Sequence, residues 1–300
     1  MIKMILIIVT ACVVAMLIKS IEAQSTVVVP YKYLNSQAIS MLIQELPARY
    51  PNLVSVGTSQ GLYGLSTAGN ERDCPYDISE KGCVNWIIHI YDRMKHNISE
   101  TSQSYQELPT VLLSGALHGD ERVGPTTVME VAILLLEAAQ CESYHYTSEN
   151  QPQKYHGCRE ALRKKGVQDD RTRRWLARLV TTRRIIIVPS ANALGYYRNE
   201  REEDGIDPNR DFPYDLLDAT QCMQTVAGRT LNEIFRNYLV QLSFTFHGGM
   251  EAIGYEWGAP SYFNQGPSPD DIAQVTLASR YSWYGGSVDN RKYPYGDMNR

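Results

Sequence analysis

The chain has 300 residues, 43% of them apolar, enough to bury a core in one large domain or two small ones. Its formal net charge is −4 and its pI about 5.9, so no global positive field points to nucleic acid or to a membrane surface. No internal repeat and no low-complexity linker divides it.

At the N-terminus, Lys3 is followed by fifteen uncharged residues, Met4 to Ile18, and then by Ile21-Glu22-Ala23. A basic start, a short apolar run and a small residue at a cut site describe an export signal over residues 1–23, leaving 24–300 as the mature part. A membrane anchor is the alternative, but a span needs roughly 18–20 apolar residues. Export lets the cysteines be read as disulfides. With Cys12 gone, Cys74–Cys83 and Cys141–Cys158 are the expected short-range pairs, and Cys222 is left over. Asn97-Ile98-Ser99 is the one glycosylation sequon, expected on a surface loop of a secreted glycoprotein.

Further along, Ser36 is expected to cap a helix to about Arg49, with Ile39, Leu42, Ile43 and Leu46 on one face. Val84 to Tyr91 reads as a strand, and Pro109 to Ser114 as a second, continuously apolar strand covered on both faces. Pro125 opens a helix to about Ala139. Ile185 to Val188 and Leu242 to Phe246 read as buried strands, Thr220 to Gln241 as a long helix and Asp270 to Tyr284 as another. Leu62 to Cys83 is a polar loop pinned by its cysteines. Arg159 to Arg184 carries ten basic residues. A polyanion-binding face is one reading; a solvated helix turning Trp175, Leu176, Leu179 and Val180 inward is the preferred one. The pattern describes a single α/β domain with a parallel or mixed sheet between helices.

Hydrolytic metal sites need three protein ligands and one open position. His118-Gly119-Asp120-Glu121 lies in a glycine-containing loop between a strand and a helix, where both ligand side chains can fold onto one ion. His247 follows Leu-Ser-Phe-Thr-Phe at the end of another buried strand, and Gly248-Gly249 lets backbone approach closely. Open α/β sheets bind ligands at such strand ends. His89 and Asp92 have the same spacing but sit on a strand, where positions three apart face opposite ways, so His89 reads as a core or edge histidine. Between the two ligand segments, Arg198-Asn199-Glu200-Arg201 and Asp207-Pro208-Asn209-Arg210-Asp211-Phe212 offer an amide and planar donor forks suited to a carboxylate. No Gly-x-Ser-x-Gly elbow, phosphate loop, dinucleotide fingerprint or Cys-x-x-Cys pair competes.

The ordered set His118-x-x-Glu121, Arg198, Asn209-Arg210 and His247 resembles the zinc carboxypeptidases of the carboxypeptidase A/B type. Pro189-Ser190-x-Asn192-x-x-Gly195-Tyr196 and Asp207-x-Asn209-Arg210-x-Phe212-Pro213 support the likeness, which runs from about Tyr31 to the end. It implies a mixed, mostly parallel eight-stranded sheet with helices on both faces and Zn2+ held by His118, Glu121 and His247 at its C-terminal edge. Asn209 and Arg210 would bind the free terminal carboxylate of a peptide or protein. Arg198 would stabilise the oxyanion of the tetrahedral intermediate, with Arg201 as the fallback. The implied protein is a secreted, monomeric exopeptidase with no nucleic-acid partner and no membrane span after signal removal.

Two departures qualify the likeness. Asp120 stands where digestive relatives carry an arginine that grips extended substrates. Family members also place a capping Tyr and a general-base Glu well downstream of the last ligand, whereas only Glu251 and Glu256 follow His247 and both read as structural. The chain is therefore expected to be C-terminally incomplete. A catalytically inactive secreted binding protein and a related zinc amidohydrolase are the alternative readings; Asn209-Arg210 weighs against the second.

Overall fold

A computed structural model describes residues 32–77, 81–96, 107–146, 152–213, 219–259, 262, 264, 266–285, 287 and 291–298. The export signal, Cys12 and the sequon at Asn97 lie outside these residues. In chain order the main elements are α1 (Ser36–Arg49), β1 (Val54–Thr58), α2 (Ser59–Tyr63), β2 (Trp86–Ile90), α3 (Arg93–His96), β3 (Thr110–Gly115), α4 (Val123–Tyr146), α5 (Pro152–Lys164), α6 (Asp170–Thr182) and β4 (Arg184–Val188). They continue with α7 (Ala193–Arg198), α8 (Val226–Asn237), β5 (Val240–Phe246), β6 (Ile253–Tyr255), α9 (Asp271–Tyr284) and β7 (Tyr295–Asp297).

Five strands form one sheet in the order β1-β2-β4-β3-β5. β2 runs antiparallel to both β1 and β4, while β4, β3 and β5 are parallel. The sheet is thus mixed rather than mostly parallel, and the described residues give five strands plus a separate β6-β7 pair rather than eight in one sheet. An apolar run reports burial but not strand direction, which is why the sequence left this open.

Alternation along the strands divides the core. Ile88, Ile90, Val111, Leu113, Ile185 and Ile187 face one layer with Ile39 and Ile43 of α1, Met129, Ala132 and Leu135 of α4, and Leu176 and Val180 of α6. Ile87, Leu112, Ile186 and Val188 face the other with Leu231 and Ile234 of α8. Each fully buried aliphatic side chain stabilises the fold by about 1.5–3 kcal/mol. The segment Val123–Tyr144 is long and apolar enough to cross a membrane, but 61% of its apolar window is buried inside the protein, so it serves as the central core helix.

Several expected boundaries shift for identifiable reasons. Asn35, not Ser36, caps α1, its side-chain oxygen accepting the Ala38 N–H at 2.8 Å. The long helix expected from Thr220 starts only at Val226, because the Thr225 hydroxyl caps it and Asp211 holds the Gln224 and Thr225 N–H groups. The same segment is already strand by Val240. The basic stretch expected as one helix is two, broken at Gly166 (φ +88°) and restarted by the Asp169 cap. Its Leu176, Leu179 and Val180 are buried as expected. Both expected disulfides are present, with Cα–Cα distances of 5.1 Å for Cys74–Cys83 and 5.5 Å for Cys141–Cys158, and Cys222 is in neither.

Candidate metal centre at the strand ends

The three parallel strands bring their C-terminal ends side by side, and the chain leaves each one into a different part of the site. β3 lies between β4 and β5, so the connection from β3 to β4 goes one way and that from β4 to β5 crosses back to the other. Such a reversal of strand order opens a crevice at the strand ends. Register pairs Gly115 with Phe246, which puts His118, three residues past β3, next to His247, the first residue past β5.

Glycines make the close approach possible. A Cβ on Gly119 would sit 2.0 Å from the Gly195 carbonyl carbon and 2.4 Å from the Glu200 oxygen, so the His118 loop lies flat on α7. At Gly115 it would meet the Pro125 nitrogen at 2.6 Å and the Pro189 oxygen at 2.7 Å. A Cβ on Gly248 would meet the Glu121 Cβ at 3.2 Å, and the Gly248 N–H hydrogen-bonds the Glu121 carboxylate. Asn192, fully buried, ties the loops together: its amide donates to the Arg201 carbonyl at 3.2 Å and its oxygen accepts the Gly195 N–H at 2.8 Å. The Gly119 N–H reaches the same Arg201 carbonyl at 3.2 Å.

His118, Glu121 and His247 each offer one ligand atom, and these atoms lie within 4.8 Å of one another. The His118 Nδ1 is 2.8 Å from Glu121 Oε1, the His247 Nδ1 is 2.8 Å from Oε2, and the two Nδ1 atoms are 3.2 Å apart. On its far side, the His118 Nε2 lies 3.1 Å from Asp207 Oδ1. Both ring nitrogens of His118 thus face carboxylates, Nδ1 that of Glu121 and Nε2 that of Asp207; a proton kept on Nε2 by Asp207 would free the Nδ1 lone pair for a metal ion. Two Nδ1 atoms and a carboxylate converging at this separation can share protons among themselves or hold a cation. A tetrahedral ion with bonds of about 2.0–2.1 Å separates its ligands by about 3.3 Å, close to what these side chains present, and two imidazoles with one carboxylate suit zinc. Burial pushes the Glu121 carboxyl up, but the His118 hydrogen bond, the Gly248 N–H and both imidazoles outweigh it and hold the group below its ordinary range.

Asp207, the first residue of the Asp-Pro-Asn-Arg motif, supports the site from behind. It caps the single turn of 3-10 helix Pro208–Arg210 by accepting the Asn209 N–H at 2.8 Å. Its other oxygen accepts from Arg201 Nη2 at 3.0 Å and Nε at 3.2 Å. Burial alone would raise its pKa, yet the Asn209 N–H and the Arg201 guanidinium hold it low, so it stays anionic behind His118. The signal was present in Asp-Pro-Asn, a capping residue followed by Pro.

The two candidate arginines part company. Arg198 donates to Asp73 through Nε (3.0 Å) and Nη2 (2.8 Å) and to Asp204 through Nη1 (3.1 Å). Its guanidinium is thereby spent on the loop that carries Cys74. Arg201 instead lies against Asp207, with Nη1 3.8 Å from Glu121 Oε1. The guanidinium beside the cluster is that of Arg201, while that of Arg198 faces Asp73 and Asp204. Asn209 and Arg210 are exposed on the turn that follows Asp207. Glu256 accepts from Gln274 Nε2 at 2.9 Å, and Glu251 is exposed; neither belongs to the cluster. His89 is buried in β2 with its ring 5.4 Å from that of Tyr238, as the core reading expected.

A buried carboxylate secures this loop from below. Glu203, 4% exposed, accepts the Val226 and Ala227 N–H groups at the start of α8. Burial is the leading cause that pushes its carboxyl up to about 7 from an ordinary 4.5; Asp204 and Asp211 add to it, against the two N–H donors. The folded state therefore holds a proton that the unfolded chain releases, and stability contributed by this group is lost as pH rises from about 4.5 to about 7.

Two outcomes are expected. Asp207→Asn should weaken zinc binding about 10–100-fold without abolishing it, measured by competition against a chromogenic chelator. Unchanged affinity would remove Asp207 from its supporting role. Glu203→Gln should flatten the denaturation free energy between pH 4.5 and 7, erasing a difference on the order of 3 kcal/mol. A variant whose pH profile parallels the parent's would contradict that assignment.

A search of curated proteins finds no match. Among solved structures, thrombin-activatable fibrinolysis inhibitor superposes with a TM-score of 0.55 at 11% identity, covering 89% of this chain and 59% of that one. Carboxypeptidase A from Helicoverpa armigera gives 0.51 at 15% identity, covering 89% and 58%. The bovine fibrinolysis inhibitor in complex with tick carboxypeptidase inhibitor gives 0.50 at 12%, covering 89% and 76%. The chain thus spans under three fifths of the first two structures' length, and at these identities the likeness concerns the fold. The sequence itself matches the zinc carboxypeptidase family over residues 39–300, and the chain belongs to that family.

Proposed function

We propose that this chain carries the metal-binding and carboxylate-recognising site of a secreted zinc exopeptidase that hydrolyses the last peptide bond of peptides or proteins. The observation that carries the reading is the convergence of the His118, Glu121 and His247 ligand atoms within 4.8 Å, one carboxylate away from the turn bearing Asn209 and Arg210. Residues 24–300 would then form the catalytic domain. The disulfides Cys74–Cys83 and Cys141–Cys158 support export, since such bonds persist in oxidising compartments.

A zinc ion held by His118, Glu121 and His247 would polarise a carbonyl and lower the pKa of water. The chain's own residues supply the rest. His118 is held in its lone-pair-forward tautomer by Asp207. Asn209 and Arg210 pair with the terminal carboxylate of a bound peptide, which fixes the last peptide bond at the strand ends and excludes chains without a free end. Arg201, close to Glu121 and steadied by Asp207, donates to the carbonyl oxygen as negative charge develops on it. Arg198 keeps the Cys74–Cys83 loop in place through Asp73.

One assay separates these roles. Matched peptides ending in a free carboxylate or a carboxamide are offered to the zinc-loaded protein, and binding and turnover are both measured. The free acid should bind about 10–100-fold tighter, the equivalent of roughly 1.5–3 kcal/mol for a hydrogen bond to a charged group. Arg210→Ala should erase that discrimination. Arg201→Ala should keep it while lowering turnover by about 10²–10³-fold. Arg198→Ala should lower thermal stability and leave discrimination intact. Equal handling of acid and amide by the parent would sink the exopeptidase reading and favour an amidohydrolase.

A further inference from the structure

The outer helical layer concentrates charge in a way the metal centre does not use. Residues 152–184 contain eleven basic and three acidic side chains, a formal +8 inside a chain of net −4. The acidic ones are already engaged. Asp170 pairs with Arg159 at 3.2 Å, Glu160 lies 3.9 Å from Arg163, and Asp169 accepts from the Thr172 N–H and hydroxyl as the cap of α6. Lys165 reaches Glu130 at 3.2 Å and buried Arg173 pairs with Glu142. Among the described residues, Arg171, Arg174, Arg178, Lys154 and Lys164 have no carboxylate within salt-bridge distance, and all five are exposed.

Three of them form a pattern. Arg171, Arg174 and Arg178 follow one another at steps of three and four, so they share one face of α6 and span about 10 Å along it. Leu176 and Val180 occupy the opposite face and are buried in the main core, with Ala177 and Leu179 on its flanks. Arg178 lies close enough to buried Arg183 to help lower that residue's pKa, though burial is the larger cause, and Arg171 adds to the Thr172 contacts that hold Asp169 low. Arg163 and Lys164 add charge at the end of α5 that adjoins the start of α6. Like charges arranged in this way oppose one another in the free protein and are relieved by a polyanion.

We propose that the exposed stripe Arg171, Arg174 and Arg178 of α6 docks a linear sulfated polysaccharide. The chemistry favours this partner over two others. An anionic bilayer is bound through an apolar face laid into the interface, and the apolar face of α6 is committed to the core. Single-stranded nucleic acid is bound by exposed aromatic platforms between the cations, and the aromatic residue of α6, Trp175, is partly buried against the core. Arginine forks match planar pairs of sulfate oxygens, and a chain built for an oxidising compartment meets its linear polyanions as sulfated glycans. The inference shares the export reading with the proposed function but needs neither zinc nor turnover. The stripe lies on the helical layer rather than at the strand ends that carry His118 and His247, so a bound glycan would localise the protein while leaving the metal centre accessible.

The test uses immobilised heparin and, in solution, heparin oligosaccharides. The parent should be retained at 0.15 M salt (about physiological) and elute above it. Arg171→Ser/Arg174→Ser/Arg178→Ser should raise the dissociation constant at least about tenfold and flatten the plot of log affinity against log salt by about 2–3, as ion release from that many contacts requires. A control with the same loss of net charge elsewhere, Arg72→Ser/Lys81→Ser/Arg236→Ser, should elute like the parent. All six side chains are exposed, and unchanged melting temperature and zinc content verify that the variants fold. Failure of the parent to bind, equal loss in both triple variants, undiminished binding to desulfated heparin, or tighter binding to oligonucleotides or anionic vesicles would each overturn the proposal.

Discussion

One carboxylate, that of Asp207, holds the site's separate pieces in register. It accepts the His118 Nε2–H on one side, the Arg201 guanidinium on another and the Asn209 N–H within its own turn. A candidate metal ligand from β3, a cation from the loop after α7 and the turn bearing Asn209 and Arg210 therefore share a single anchor. Its charge persists because the donors around it outweigh the cost of burial. Loss of that charge would loosen all three at once, whereas loss of any one partner would leave the other two in place.

The anchor works because the backbone beneath it is closely fitted. Gly119 lets the His118 loop lie against α7, and Asn192 and Gly119 both fasten to the Arg201 carbonyl. Glu203 and Asp211 then tether the far end of the same loop to the start of α8, which packs on the sheet face opposite α4. Local capping contacts at α8 are thereby connected to the geometry of the metal centre through about ten residues of loop. Helix-end contacts of this sort are individually worth about 1 kcal/mol.

Much of this was legible in the residues. His118, Glu121 and His247 stand out because strand patterns end just before them and glycines follow, although β5, expected as a buried strand, alternates between exposed and half-buried side chains. The disulfide pairs were legible from short spacing. Arg198 and Arg201 were not separable, since both occupy the same polar turn and the deciding partner of Arg198, Asp73, lies 125 residues away. The start of α8 was misplaced for a similar reason: Asp211, which holds the Gln224 and Thr225 N–H groups, is remote from the helix pattern itself. Strand direction was invisible because β2 and β4 are equally apolar although they run opposite ways. The basic helices were read as solvated, and the inward side chains of α6 agree; what the sequence lacked was the pairing of the acidic residues, which leaves Arg171, Arg174 and Arg178 together on one face.

The central claim is that one ion is held by two imidazoles and a carboxylate gathered from the ends of β3 and β5. X-ray absorption at the zinc edge, on protein loaded with one equivalent, tests it most directly. Nitrogen and oxygen donors at about 2.0–2.1 Å with the scattering of two imidazoles are predicted, falling to one imidazole in His247→Ala. A sulfur shell near about 2.3 Å, or an unchanged spectrum in that variant, would contradict it.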